Sequence, residues 1–527
     1  MKGSEMPHFI SPRVMRLLKW ILLTVVALVI LLLIGGRILS SYLDKELRSK
    51  FEKAGGEIGD LDVNLFSRSV TIRDISFISK TNSDSGSSSR AQIERVALRD
   101  IGLYQFISNR VLSIGELIIT NGNLFIDRNR EPKDTANTQH VDGLRQLSIE
   151  RLDINDLSVT IVNDSSKQYS GVVNATLTGV SSSEQEGVAG LAGYELKHIE
   201  LDLFKLAIST PKLYFIQIGR LQANSNSSRL QVDSLQLVPK YSKFEFAQVA
   251  GKQIDRINTF IHKIEVDGLK YDLLLDSSFV ASKVKISGGE VHSFRDKRQP
   301  FRETKVKPLP IEALNDIAFG VVIDTIQIGE SKVEYEEFAP EGFETGTIAF
   351  DDLNANLTNI SNRKDSRKTN TATLKASAKL MGQAEINATF ELPYDKDQQY
   401  VATGTIGKMS LDHLNPPLQN LAFVRIESGT LEGITFNFVY NDKESSGKVT
   451  INYKDLKIDG LKKEKSTVIN DLKTLLINTI IKNDKDKEVP LEKRTGTVDF
   501  ERDRKRQIFN FWWKSLFSGI KSSVMDS

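Results

Sequence analysis

Six histidines, His8, His140, His198, His262, His292 and His413, are the first residues to weigh for metal or acid–base chemistry. None stands at the short spacing that sets two ligands on one ion. Acidic neighbours such as Glu336-Glu337 and Asp351-Asp352 offer paired carboxylates. Successive residues of a strand point to opposite faces, so these pairs make poor catalytic dyads. Ser446-Gly447-Lys448-Val449 has the glycine and lysine of a phosphate-cradling loop. It lacks the upstream glycine spacing and the hydroxyl after the lysine. No G-x-S-x-G elbow and no H-E-x-x-H helix occurs. The chain has no cysteine, which excludes disulfides, thiolate metal sites and cysteine nucleophiles. The residues therefore assign no catalytic, cofactor-binding or metal-ligating group, and the expectation is a protein that is not an enzyme.

The 527 residues carry a formal net charge of +2, so no overall bias points to nucleic acid. The chain is long enough for about two to four ordinary domains, or for one long repetitive one. Trp20 to Gly36 (WILLTVVALVILLLIGG) is free of charge. It barely spans the ~30 Å hydrocarbon of a bilayer, and snorkelling Lys19 and Arg37 extend its reach. The expectation is an uncleaved membrane anchor, because Gly35-Gly36-Arg37 makes a poor signal-peptide cleavage site. Arg13, Arg16 and Lys19 crowd its N-terminal side, which predicts a cytoplasmic N-terminus with the bulk of the chain across the membrane.

Beyond the anchor the hydropathy changes to period two, the strand signal. One unit recurs: apolar, x, apolar, x, x, apolar, x, apolar. It reads Val70, Ile72, Ile75, Phe77, then Leu112, Ile114, Leu117, Ile119, then Leu147, Ile149, Leu152, Ile154. Later copies begin at Leu201, Leu230, Ile264, Val321 and Ile451, and one begins at Val96. Each half keeps its apolar residues on one face, while the central gap of three slips the phase by one residue. A bend or bulge at the polar doublet would return both halves to the same side. A tight hairpin there is the alternative. Arg73-Asp74, Arg99-Asp100, Asp267-Gly268 and Lys454-Asp455 suit either.

These patterns predict a mostly β protein: one N-terminal transmembrane helix, an elongated or groove-like antiparallel sheet of short bent strands, and C-terminal amphipathic helices. The expected divisions are a cytoplasmic tail at 1–19, the anchor at 20–36, a β-rich repeat region at 37–300, a second β-rich region at 311–465 and a helical region at 466–527. Arg295 to Pro310, dense in charge and proline, marks the internal boundary. In the last region Phe509, Trp512, Trp513, Leu516 and Phe517 form the apolar side of a helix. That helix is expected to cap the open end of the β-structure, with contact to a membrane or partner as the rival role.

Asp62-Val63-Asn64-Leu65-Phe66-Ser67-Arg68-Ser69-Val70-Thr71-Ile72-Arg73-Asp74-Ile75, placed after a single anchor, resembles the opening of AsmA-like proteins. The stretches Val333 to Asp352, Met409 to Tyr453 and Phe509 to Ser523 also resemble that family. The resemblance is one of diffuse pattern over most of the chain after residue 40, with no invariant catalytic motif. It implies an inner-membrane anchor, a periplasmic β-rich body and an apolar groove that handles phospholipid between inner and outer membranes, with a role in envelope integrity. Groove candidates are Ile72, Ile75, Leu117, Ile119, Leu152 and Ile154. The partners expected are the inner membrane through Trp20–Gly36, phospholipid acyl chains and envelope proteins, without nucleic acid. A scaffold or assembly factor for outer-membrane or secreted proteins is the alternative, acting through exposed strand edges.

Overall fold

Most of the period-two stretches become strands. The computed structural model describes residues 52, 56–64, 67–78, 89–102, 111–127, 146–163, 167–182, 194–210, 212–275, 277–303, 305–422, 424–460 and 494–525. The expected anchor Trp20–Gly36 and the apolar helical pattern from Val468 to Ile480 lie outside these residues. No helix of the described residues is long and apolar enough to cross a membrane. The chain divides into two units, residues 1–212 with 216–232, and residues 213–215 with 233–527. Arg295–Pro310 falls inside the second unit, where Gln253 Nε2 donates to the Lys297 and Gln299 carbonyls and Arg502 Nη2 to the Lys307 carbonyl.

The first unit holds β1 (Gly56–Asn64), β2 (Ser69–Ile78), β3 (Arg90–Ile101), β4 (Val111–Asp127), β5 (Gln146–Asn163), β6 (Lys167–Ser182), β7 (Tyr194–Glu195) and β8 (His198–Ser209). Strands β1 to β4 are antiparallel neighbours. β4 and β5 run parallel, and β5, β6 and β8 are antiparallel again. The division between the units passes through β9 (Tyr214–Asn224) and β10 (Arg229–Pro239).

The second unit holds α1 (Lys243–Ala250), β11 (Asp255–Asp267), α2 (Tyr271–Leu275), β12 (Ser278–Asp296), α3 (Pro310–Asn315), β13 (Gly320–Phe338), β14 (Thr345–Ser361), β15 (Thr371–Leu380) and β16 (Ala384–Pro393). It continues with β17 (Tyr400–Ile406), β18 (Met409–Ser410), β19 (Val424–Tyr440), β20 (Glu444–Gly460), β21 (Arg494–Glu501) and α4 (Ile508–Met525). Here β12 and β13 are the parallel pair. The remaining neighbours pair antiparallel.

At five polar doublets the second residue is a left-handed bend inside a strand, not a hairpin: φ is 52° at Asp74 and Asp100, 50° at Lys205, 56° at Ser234 and 53° at Asp455. Gly268 (φ 68°) instead follows the end of β11 and leads into α2, and the doublets Gly115-Glu116, Glu150-Arg151 and Asp324-Thr325 hold no left-handed residue. Asp and Gly tolerate this conformation best, since most side chains crowd the following carbonyl there. Around Asp74 the pairing count is conserved, with Arg73 opposite Arg95 and Ile75 opposite Ile93. On β20 the register slips between Ser428↔Lys457 and Thr430↔Lys454, so Asp455 marks a true bulge.

The strands are longer than the repeat predicts. β4 and β5 have 17 and 18 residues, and β12 and β13 have 19 each. The cause is a further apolar pair after a left-handed bend, at Asn121 (φ 47°), Asp156 (54°), Gly288 (65°) and Glu330 (51°). The two units repeat this device. The Asp156 N–H donates to Asn174 Oδ1 at 2.6 Å, and the Glu330 N–H to Asn354 Oδ1 at 3.4 Å. In both, an asparagine on the next strand satisfies the amide freed by the bend.

The edge strand β21 is guarded by α4. The Thr497 and Asp499 amides donate to the hydroxyls of Ser522 and Ser518. Unpaired strand edges recruit other chains, and these bonds occupy this one. Phe511 (2% exposed), Ser515 (0%) and Ser523 (2%) form the helix's buried seam with Gly519. The helix approaches so closely that a Cβ on Gly496 would overlap the Gly519 carbonyl oxygen and the Ser523 backbone nitrogen. Gly496→Ala is expected to destabilise the second unit by about 1–3 kcal/mol or more, because backbone cannot yield as a side-chain end does. A thermal melt of the full chain measures it.

Candidate functional site

The bends build one continuous apolar face in the first unit. A residue row crosses the sheet through Leu61, Ile72, Val96, Ile119, Ile154 and Ala175, each directly opposite the next. A second row joins Val70, Leu98, Leu117, Leu152 and Leu177. Ile75 lies beyond the Asp74 bend, opposite Ile93, yet belongs to the same cluster as Ile72. All six groove candidates therefore share one face of one sheet, which the left-handed bends make possible.

Exposure across that face is graded. Ile72 is 2% exposed, Ile75 5%, Leu117 6% and Ile119 7%. Leu152 and Ile154 on β5 are only half-buried, as are Val159, Val173 and Val180 that pack beside them. The residues of β8 that continue the rows, Leu201 and Ile199, are half-buried too. The face is thus closed over β2–β4 and at Leu147, Ile149 and Leu157 of β5, and half-buried at Leu61 and Val63 of β1, at Leu152 and Ile154 of β5 and at most apolar positions of β6 and β8. The sequence pattern cannot reveal this gradient, because the repeat reads the same on every strand.

The C-terminal candidates separate into two groups. Trp512 stacks on Phe390 at 4.1 Å between ring centroids, and Trp512, Leu516 and Ile520 pack against the second unit's core. Trp513 is 52% exposed and Phe509 75%, and Trp513 stacks with half-buried Phe517. Phe511 is the helix's deepest anchor and was not among the residues predicted from sequence. The spacing Phe511, Ser515, Gly519, Ser523, every fourth residue and mostly small, is the signal that marks the seam.

Titratable groups serve structure. Arg502 has a fully buried side chain, bonded to Asp442 at 2.5 Å, and Arg504 pairs with the same carboxylate. Arg295 makes two bonds to Asp255, at 2.7 and 2.5 Å. The Tyr335 hydroxyl donates to Glu337 at 2.8 Å, and Lys297 pairs with Glu337 at 2.6 Å. Burial pushes the Tyr335 hydroxyl far up, and the Glu337 charge adds to the shift. Among the described residues no group of three His, Cys, Asp or Glu side chains could hold a metal ion.

No protein-family model matches the chain, and no curated protein matches it.

Two outcomes test this account of the core. Asp74→Val should destabilise the first unit by about 1–2 kcal/mol in urea unfolding, whereas Asp74→Gly should be tolerated, because only glycine accepts φ near +50° without strain. Tyr400 stacks on Tyr440 at 5.1 Å, and burial pushes its hydroxyl up from 10.0 to about 12. The folded state therefore holds its proton more tightly than the unfolded chain. Its contribution is full below pH 10.0 and is lost as pH rises through about 12. Thermal melts of Tyr400→Phe and the parent across that window should show a shallower alkaline decline in the variant.

Proposed function

We propose that this is a membrane-anchored periplasmic protein that holds phospholipid acyl chains on the half-open apolar face of its first unit. In this reading it handles phospholipid between inner and outer membranes. The observation that supports the reading is the half-buried apolar patch of β5, β6 and β8, where Leu152, Ile154 and Val173 lie beside the closed core without being fully covered. Leu152, Ile154, Val159 and Ile161 extend along β5 for about 30 Å at ~3.3 Å per residue. One leaflet of hydrocarbon is about half of ~30 Å, so an acyl chain fits within that length. Each buried CH₂ contributes about 0.8 kcal/mol before entropic costs. The apolar stretch Trp20–Gly36 supplies the anchor, and the resemblance to AsmA-like proteins agrees with both parts.

Strand addition at β21 has no place in this reading, because Ser518 and Ser522 of α4 already occupy that edge.

The test compares two charges on one residue row. Ile154→Asp puts a carboxylate where water can still reach it, so the fold should survive while bound phospholipid is lost. Ile72→Asp buries an unpaired charge and should cost more than about 4 kcal/mol, unfolding the unit. Native mass spectrometry of the full chain released from detergent counts the lipid, and a melt reports the fold. A parent chain without phospholipid, or an Ile154→Asp variant that keeps it, would sink the proposal.

A further inference from the structure

The second unit's sheet presents an opposite, polar face. One register row there begins Lys285, Gln327, Asn356, Lys375 and continues across β16, β17 and β19 to Lys448 on β20. The adjacent row passes through Ser377, Asn387 and Thr405 and ends in the threonine ladder Thr435, Thr450, Thr495. Between the two rows lies an open trough of 690 Å³ floored by the backbone at Ala355, Ala376, Ala388 and Gly404. From β14 to β21 neither row contains an acidic residue, while Glu265 of β11 stands opposite Lys285 and Glu330 lies at the β13 bulge beside Asn354. Acids return on the flanking rows, at Glu385 and Glu391 of β16. Lys375 and Lys448 make no ion pair among the described residues, and Lys285 meets Glu265 only at 3.8 Å.

We infer that this trough binds an acidic polysaccharide strand, with the amide and hydroxyl side chains bonding sugar hydroxyls and the lysines meeting its carboxylates or phosphates. The argument is complementarity of three kinds. The trough crosses six strands, β12 to β17, and the two rows continue from it over β19, β20 and β21 to nine in all, about 38 Å at ~4.8 Å per step, which suits an extended polymer and not a compact ligand. Its side chains are donors and acceptors without apolar pockets, which disfavours a peptide. Its charge is sparse and its own charged residues are lysines, with Glu265 and Glu385 at its margin, the first 3.8 Å from Lys285 and the second accepting from Asn387 at 3.4 Å. A nucleic-acid strand of that length would bring about eleven phosphates at ~3.4 Å each against three lysines, and would find no aromatic ring in the strip to stack on. A polymer of mostly neutral hydroxyls with occasional anionic groups matches that density. The trough lies on the polar face of the second unit, so this inference stands apart from the lipid reading and can fail separately.

The experiment measures binding of a galacturonic-acid decamer to the full chain in detergent by calorimetry. The same decamer fully methyl-esterified, and a dT20 oligonucleotide, are the comparison probes. The acidic decamer should bind at least tenfold more tightly than its ester, and more weakly as salt rises. Lys375→Glu should weaken it about tenfold or more, while Lys396→Glu, an exposed lysine outside the strip, should leave it unchanged. Both variants sit on the surface, so the melting temperature should hold. No binding of the decamer, equal binding of acid and ester, tighter binding of dT20, or equal losses in the two variants would each overturn the inference.

Discussion

A strand with apolar residues three apart must turn its backbone once between them, or its halves face opposite ways. At several of these gaps the turn is one left-handed residue, near φ +50° at Asp74, Asp100, Asp156 and Asp455. Each such residue costs on the order of 1–2 kcal/mol in local conformation, less where Asp or Gly stands. The strand keeps its apolar face in return, and burial of one isoleucine or leucine outweighs that cost at about 1.5–3 kcal/mol. The amide freed by the turn still needs an acceptor, which Asn174 and Asn354 supply on the neighbouring strands. Apolar rows and long strands both draw on this device.

A one-sided sheet leaves two further problems, an open apolar face and open edges. The second unit meets both at once with α4. Its small-residue seam of Ser515, Gly519 and Ser523 lets the helix settle against Gly496, and Ser518 and Ser522 take up the amides of β21. Phe511, Trp512, Phe390, Phe438 and Tyr440 then fill the core beneath it. The first unit closes its face fully at β2–β4, and the half-buried patch of β5, β6 and β8 is the surface assigned to acyl chains.

The same alternation that gathers apolar residues on one side gathers polar ones on the other. In the second unit that side is sorted further. Amides, hydroxyls and lysines occupy two adjacent rows, and the acids are displaced to the flanks. Surface ion pairs such as Lys379 with Asp352 and Lys368 with Asp324 lie elsewhere on the sheet. Exposed pairs of this kind contribute little to stability. The sorting along the strip therefore has no evident role in holding the fold, which is why a ligand is the better account of it.

Much of this was legible in the residues themselves. The period-two pattern determined that the protein is β-rich and that the apolar residues of each half-unit, such as Leu117 with Ile119 and Leu152 with Ile154, share a face. Those are consequences of side-chain alternation along one strand, a local property. Whether Arg73-Asp74 makes a hairpin or a bend was not local, since both suit the same residues; pairing to β1 and β3 on either side decided it. The parallel joins β4–β5 and β12–β13, the exposure of Ile154 against the burial of Ile119, and the choice of Phe511 over Trp513 as the anchor of α4 were likewise decided only by tertiary structure. The reason is common to all: burial depends on which element covers a residue, and strands distant in sequence contribute that cover without leaving any mark on the residue's own neighbours.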